Sequence, residues 1–138
     1  MKDISCFIQQ IESKCQNRLC SVFLASDSEK AASQFKEGLS KLQIPLLTLP
    51  GKSLHVDDLK NESVPGARDE AKAVEPYLKT FGDWAMFSLA DEMILSHSGF
   101  GFTAAWWSYP SIPFVKFDHL RSDVKAGTCT WVHEVLFP

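Results

Sequence analysis

Residues 20–49 read CSVFLASDSEKAASQFKEGLSKLQIPLLTL, and their opening decides the fold. Cys20 to Ala25 form an apolar run too continuous for a half-exposed strand, the pattern of a central strand covered on both faces. Asp27 and Ser28 follow as N-cap candidates, since a short oxygen-bearing side chain can accept from the open N–H groups of a helix's first turn. Ala31, Ala32, Phe35, Leu39 and Leu42 then recur at helical spacing, and residues 44–49 give a second apolar strand. Strand, cap, helix and strand make one βαβ unit, whose right-handed crossover makes the two strands parallel.

Upstream, residues 3–16 predict a helix with Ile4, Phe7, Ile8, Ile11 and Cys15 on one face. Downstream, Pro50 and Gly51 end the second strand and open a polar stretch through Gly66 that holds His55, Asp57, Asp58 and Glu62. Its length marks it as a functional or mobile loop. Helical patterning resumes near Ala67, with Ala71, Val74, Leu78 and Phe81 in phase, and Pro76 predicts a kink or two pieces, the second over residues 82–90. A third buried strand over residues 92–96 runs into His97-Ser98-Gly99-Phe100-Gly101. A short apolar helix over 102–108 and a fourth strand over 112–117 come next. The tail from His119 to Pro138 is mixed, and its apolar end, with Trp131, Val132, Val135, Leu136 and Phe137, is expected to pack back on the body. The order α-β-α-β-α-β-α-β predicts a single α/β domain over residues 1–138, a three-layer sandwich with a mainly parallel sheet.

The 138 residues are 45% hydrophobic and 22% charged, enough to bury a core without help from metals or disulfides. A formal charge of −3 argues against nucleic acid as a partner, because phosphate contacts call for a basic excess. No stretch approaches a membrane span, and the polar N-terminus resembles no signal-peptide core. Cys6, Cys15, Cys20 and Cys129 lack any metal-ligand spacing and read as reduced, mostly core thiols; a disulfide is the alternative for a secreted chain.

Ligands of open parallel sheets bind at the carboxyl ends of strands, which singles out Ser26-Asp27-Ser28 and residues 96–101. The second stretch combines small residues, Ser96, His97 and Ser98 with a following helix N-terminus, a setting that suits phosphate. The plain alternative is a tight turn with a Ser cap. Gly99, Gly101 and Ala104 also fit the dinucleotide fingerprint GxGxxA, with Asp118 19 residues after Gly99. That fingerprint normally opens a nucleotide-binding domain, and only 20 residues follow Asp118 here. Asp83 is either a reader of a guanine N1–H and N2–H₂ edge or a helix cap after Gly82, and Asp27 a ligand contact or the second helix's cap. His55, His97, His119 and His133 share no ligand spacing, and only His97, beside the candidate phosphate loop, carries a functional reading. Ser96 and Ser98 lack the GxSxG elbow of a serine hydrolase. Trp84, Trp106 and Trp107 read as core in preference to a sugar platform.

Three pieces in order, Phe23-Leu-Ala-Ser-Asp27-Ser28, then Gly82-Asp83-Trp84 to Leu89-Ala90-Asp91, then Ser96-His-Ser98-Gly-Phe-Gly101, resemble the C-terminal, donor-binding half of the GDP-fucose-dependent fucosyltransferases. This superfamily includes the α1,6-fucosyltransferases and protein O-fucosyltransferases. The resemblance covers roughly residues 20–117 and implies a Rossmann-like domain, half of a GT-B-type glycosyltransferase. It implies that Asp83 reads guanine, that Ser98 with the backbone of Gly99 and Phe100 holds the donor's β-phosphate, and that Asp27 is either positional or lies near the ribose. Ser96, His97 and Gly101 are the weaker candidates. It further implies GDP-fucose as donor with no metal cofactor, a glycan or glycoprotein acceptor, and a secretory-pathway lumen, whereas the absence of a signal points to cytoplasm or a fragment. The family's His-x-Arg motif ahead of the first strand has no counterpart, since Arg18 has no His two positions before it. Losing an arginine that stabilises departing GDP removes several kcal/mol. The expectation is therefore a donor-binding domain that is weak or incomplete as a transferase by itself, with a missing N-terminal half as its partner. A non-enzymatic interaction module using the aromatic tail, or an NAD(P)-binding oxidoreductase domain, are the alternatives.

Overall fold

The computed structural model describes residues 4–51, 70–108, 112–118, 121–123 and 127–132. Helix α1 (Ile4–Cys15) buries Ile4, Cys6 and Ile11. Strand β1 (Val22–Phe23) leads to Ser28, which caps α2 (Glu29–Lys41) by accepting from the Ala31 N–H at 3.2 Å, so the cap is Ser28 and not Asp27. Helix α2 turns Ala31, Phe35 and Leu39 inward, and β2 (Leu46–Leu47) pairs parallel with β1, Val22 opposite Leu46 and Phe23 opposite Leu47. The βαβ unit read from residues 20–49 is present, with shorter strands than the apolar runs suggested, and β1 is half-buried beside β2 alone among the described residues, which corrects the expected central strand covered on both faces.

Helix α3 (Glu70–Ser88) passes through Pro76 as one element, so the expected alternative of two separate pieces is corrected. Proline's fixed φ is itself helical, so its cost is a missing hydrogen bond and a crowded carbonyl, which the helix absorbs without ending. The polar stretch with His55, Asp57, Asp58 and Glu62, the helix start at Ala67, His119, His133 and the apolar end at Val135, Leu136 and Phe137 lie outside the described residues. Strand β3 (Met93–Leu95) is followed directly by α4 (Gly99–Trp107), which begins three residues earlier than its apolar pattern implied. Strand β4 (Phe114–Phe117) runs parallel to β3, and β5 (Trp131–Val132), not anticipated as a strand, pairs antiparallel with β4.

The protein is thus α/β, with four helices, one parallel strand pair and one mixed three-stranded sheet of order β3-β4-β5 among the described residues. One core cluster joins α1 and α2 through Ile4, Ile11, Phe35 and Leu39, and the other surrounds Met93, Leu95, Ala105 and Phe114. Strand β3 serves both: Met93 and Leu95 belong to the second cluster, while Ile94 packs against the first, as the two-residue period of a strand requires. Phe7 of α1 meets Phe35, Phe117 and Trp131, so Trp131 packs on the body as the sequence suggested. Trp106 and Trp107, read as core, are exposed instead, because they fall in the last turn of a short helix whose inward face is filled by Gly101, Ala104 and Ala105.

The cysteines are also corrected. Cys6 bonds Cys129 and Cys15 bonds Cys20, with Cα atoms 5.6 and 5.5 Å apart. The chain reversal after α1 brings the second pair together, and the seating of α1 against β5 brings the first. Neither juxtaposition is visible in spacing alone. Just beyond α1, Arg18 and Lys14 both engage Glu92, at 2.7 and 2.5 Å, tying the end of α1 to the start of β3. Among the described residues no helix is long and apolar enough to cross a membrane.

Candidate functional site

At the carboxyl ends of β1 and β2 the chain forms a cleft of about 160 Å³ lined by Ser26, Asp27, Ser28, Thr48, Gly51 and Lys79 among others. Its first wall follows from the turn out of β1. Pairing runs one residue past the strand, where the Leu24 N–H donates to Leu47 O at 2.9 Å. The Ser28 N–H then donates to Ser26 Oγ at 3.1 Å, a local side-chain turn that sets the approach to α2. Asp27, relieved of the capping role by Ser28, stands exposed between the two serines on the cleft. The second wall follows β2, where Gly51 takes φ +99°, a conformation that favours glycine, and passes 3.7 Å or more from the Lys79 side chain as measured from an added Cβ.

Lys79 comes from α3 and is buried, and its ammonium donates to Asp83 one turn further on. Asp83 is 1% exposed. It lies within α3 and does not cap it, so the capping alternative for Asp83 falls. The structure thus connects two of the residues singled out in the sequence, Asp27 lining the cleft and Asp83 behind it, through a lysine that sequence reasoning missed. The signal available for Lys79 was its i,i+4 spacing to Asp83 in an otherwise apolar helix segment.

The remaining candidates, Ser96, His97, Ser98, Gly99, Phe100 and Gly101, gather where β3 enters α4 and do not line that cleft. Ser98 is the N-cap, accepting from the Gly101 N–H at 3.3 Å, and its own N–H donates to Ser96 O at 2.9 Å. What read as a phosphate loop is therefore the first turn of α4, a geometry that leaves the Gly99 and Phe100 N–H groups without acceptors inside the helix. Ser96, His97, Ser98 and Gly99 are exposed, whereas Gly101 is buried, its missing Cβ only 3.1 Å from Leu95 Cδ2. Lys116, on β4, places its ammonium 5.7 Å from the centre of the Phe102 ring in the same turn.

Other charges are tied down locally. The Arg18 guanidinium is on Glu92, and Asp118, the acid of the fingerprint reading, accepts from the Arg121 N–H at 3.2 Å in a turn. Among the described residues no group of three or more His, Cys, Asp or Glu could hold a metal ion. Comparison with protein-family models, curated proteins and solved structures returned no match.

Proposed function

We propose that the chain is a fucosyltransferase-like domain that binds a GDP-sugar at the carboxyl ends of its parallel strands. The observation that carries this reading is the cleft after β1 and β2, which Ser26, Asp27, Ser28 and Lys79 line together. Crevices outside the carboxyl ends of parallel strands are where open α/β sheets hold nucleotides. Within the proposal the two strand groups are parts of one Rossmann-like sheet, with α1 and α2 on one face and α3 and α4 on the other. The division of β3 side chains between the two core clusters supports that layering.

Asp27 accepts from ribose hydroxyls in this reading, and Ser98 with the N–H groups of Gly99 and Phe100 holds the diphosphate. Asp83 reads the guanine edge by giving up Lys79 for the base's N1–H and N2–H₂ donors. The exchange releases the lysine toward the cleft and the negative charge of the ligand, so each half of the pair keeps a partner of the right sign. Lys79 then supplies positive charge that the family pattern takes from an arginine. Two disulfides support the oxidising, lumenal setting that goes with the same resemblance. Transfer by this chain is expected to be weak or incomplete, because Arg18 is engaged by Glu92 and not by the cleft.

Calorimetric titration with GDP and ADP tests the reading. GDP is expected to give saturable heat and a raised melting temperature, ADP to bind at least tenfold more weakly, and Asp83→Asn to erase that preference. No heat and no thermal shift at millimolar GDP would sink the proposal. Unchanged GDP affinity in both Ser98→Ala and Asp83→Asn would move the ligand elsewhere.

A further inference from the structure

Helix α3 carries a second feature, on the side away from Lys79 and Asp83. Val74, Leu78, Phe81 and Ala85 are exposed and follow one another at steps of four, three and four residues, the spacing of a helix-pairing seam. Leu89, just past the helix end, extends the line. Leu78 is 66% exposed, Phe81 68% and Leu89 77%. At the edge of the stripe Trp84 packs against Trp107 in a tilted pair, ring centres 5.8 Å apart, and Trp107 is 75% exposed, so α4 widens the same patch.

With about 150–250 Å² for each aromatic side chain and somewhat less for Val and Leu, the exposed parts of Val74, Tyr77, Leu78, Phe81, Leu89 and Trp107 amount to roughly 600–700 Å². That exceeds the roughly 300–600 Å² of the largest apolar patch on a typical monomer. It approaches the roughly 800 Å² that each partner contributes to a standard stable interface.

We infer that this stripe is the interface of a two-fold homodimer, in which α3 packs antiparallel against α3 of a second copy. The symmetric spacing of four, three and four residues argues for a second copy. A two-fold axis between Leu78 and Phe81 sets Leu78 of each chain against Phe81 of the other, and Val74 against the small Ala85. Apolar side chain thus meets apolar side chain at all four contacts of the seam, which is the self-complementarity an isologous contact needs. Among the described residues, α3 lines the cleft at β1 and β2 only through Lys79, on the opposite side of the helix, so both copies keep it open.

Sedimentation velocity and light scattering of the full chain test the inference. The wild type is expected to show twice the chain mass of 15.5 kDa at micromolar concentration, and Phe81→Lys to return it to the single-chain mass. Ala85→Arg gives the same readout from an exposed, small position whose replacement leaves the fold intact, so failure of Phe81→Lys to fold does not end the test. Leu19→Lys, at a fully exposed site outside the stripe, is expected to leave the dimer unchanged. A wild type that stays monomeric to about 100 μM overturns the inference and hands the stripe to a different protein. So does a dimer that survives Ala85→Arg with its circular dichroism unaltered.

Discussion

A lysine and an aspartate one turn apart on α3 are both almost sealed from water, and this pair is the most consequential residue-level feature of the molecule. Each charge loses its hydration and is sustained by the other, so removing one partner is far costlier than removing both. Asp83→Ala is expected to lower stability by about 3–5 kcal/mol, whereas the double change Lys79→Met, Asp83→Leu is close to neutral, within about 1–2 kcal/mol. Urea titrations of the single and double variants check this, and equal losses in the two would count against the pair. Asp83 was legible in the sequence as a residue of consequence through the motif around it. Lys79 was not, because lysines on helices are overwhelmingly solvent-facing and only packing reveals the exception.

Glu92 gives a pH-dependent counterpart. Hydrogen bonds from Lys14 first and Arg18 second hold its carboxyl below the ordinary value near 4.5. A folded-state value below the unfolded one makes the contribution complete above about pH 4.5 and lost as pH falls through the folded value. The groups are partly exposed, so Glu92→Gln is expected to cost at most about 1 kcal/mol at neutral pH. The gap between variant and wild type closes in acid, and denaturant titrations at neutral pH and near pH 3 measure it. A gap that stays constant across that range would show that the ion contacts are not its origin.

Among elements, α4 begins three residues before its apolar pattern, at the serine the sequence offered as a cap. Residues 96–101 look like a glycine loop, yet the chain is already helical at Gly99, because Ser98 satisfies the Gly101 N–H and starts the first turn. Gly101 lies against Leu95 of β3, where any added Cβ is already tight at 3.1 Å. Gly101→Val is therefore expected to push α4 off β3 and destabilise the protein by about 1–3 kcal/mol, read as a lowered melting temperature. Gly99→Ala, whose added Cβ meets nothing within 4 Å, is the control expected to keep the fold. Continuous apolar runs made β1 to β4 legible; burial of Met93, Leu95, Phe114, Val115 and Phe117 accounts for the signal in β3 and β4, whereas β1 and β2 are only half-buried. Strand β5 left none: Trp131 and Val132 become a strand only because β4 offers an open edge and Phe7 a surface to cover.

At the scale of the molecule, α/β class and element order followed from the sequence, whereas the division of the strands into a parallel pair and a mixed sheet did not. Strand pairing is a long-range outcome, and a tail of mixed polarity carries no trace of its partner. The same holds for the bond between Cys6 and Cys129, which closes the chain over a separation of 123 residues. In the chain-entropy model a loop of that size adds about 4–5 kcal/mol, against about 2 kcal/mol for Cys15–Cys20. Reduction is thus expected to remove much of the net stability of a domain this small. Denaturant titration with and without reductant, and of Cys129→Ser beside Cys20→Ser, checks the ranking. Equal losses in the two variants would refute it.

The same closure has a mechanical meaning. Tension entering ahead of Cys6 and leaving beyond Val132 can strip β5 from β4, and then meets a covalent link that bypasses everything between the two sulfurs. The cleft, the buried ion pair and all four interior strands sit inside that shunt. While the bond is intact a pull on the ends unfolds almost none of the chain; once it is reduced, the same pull reaches the core.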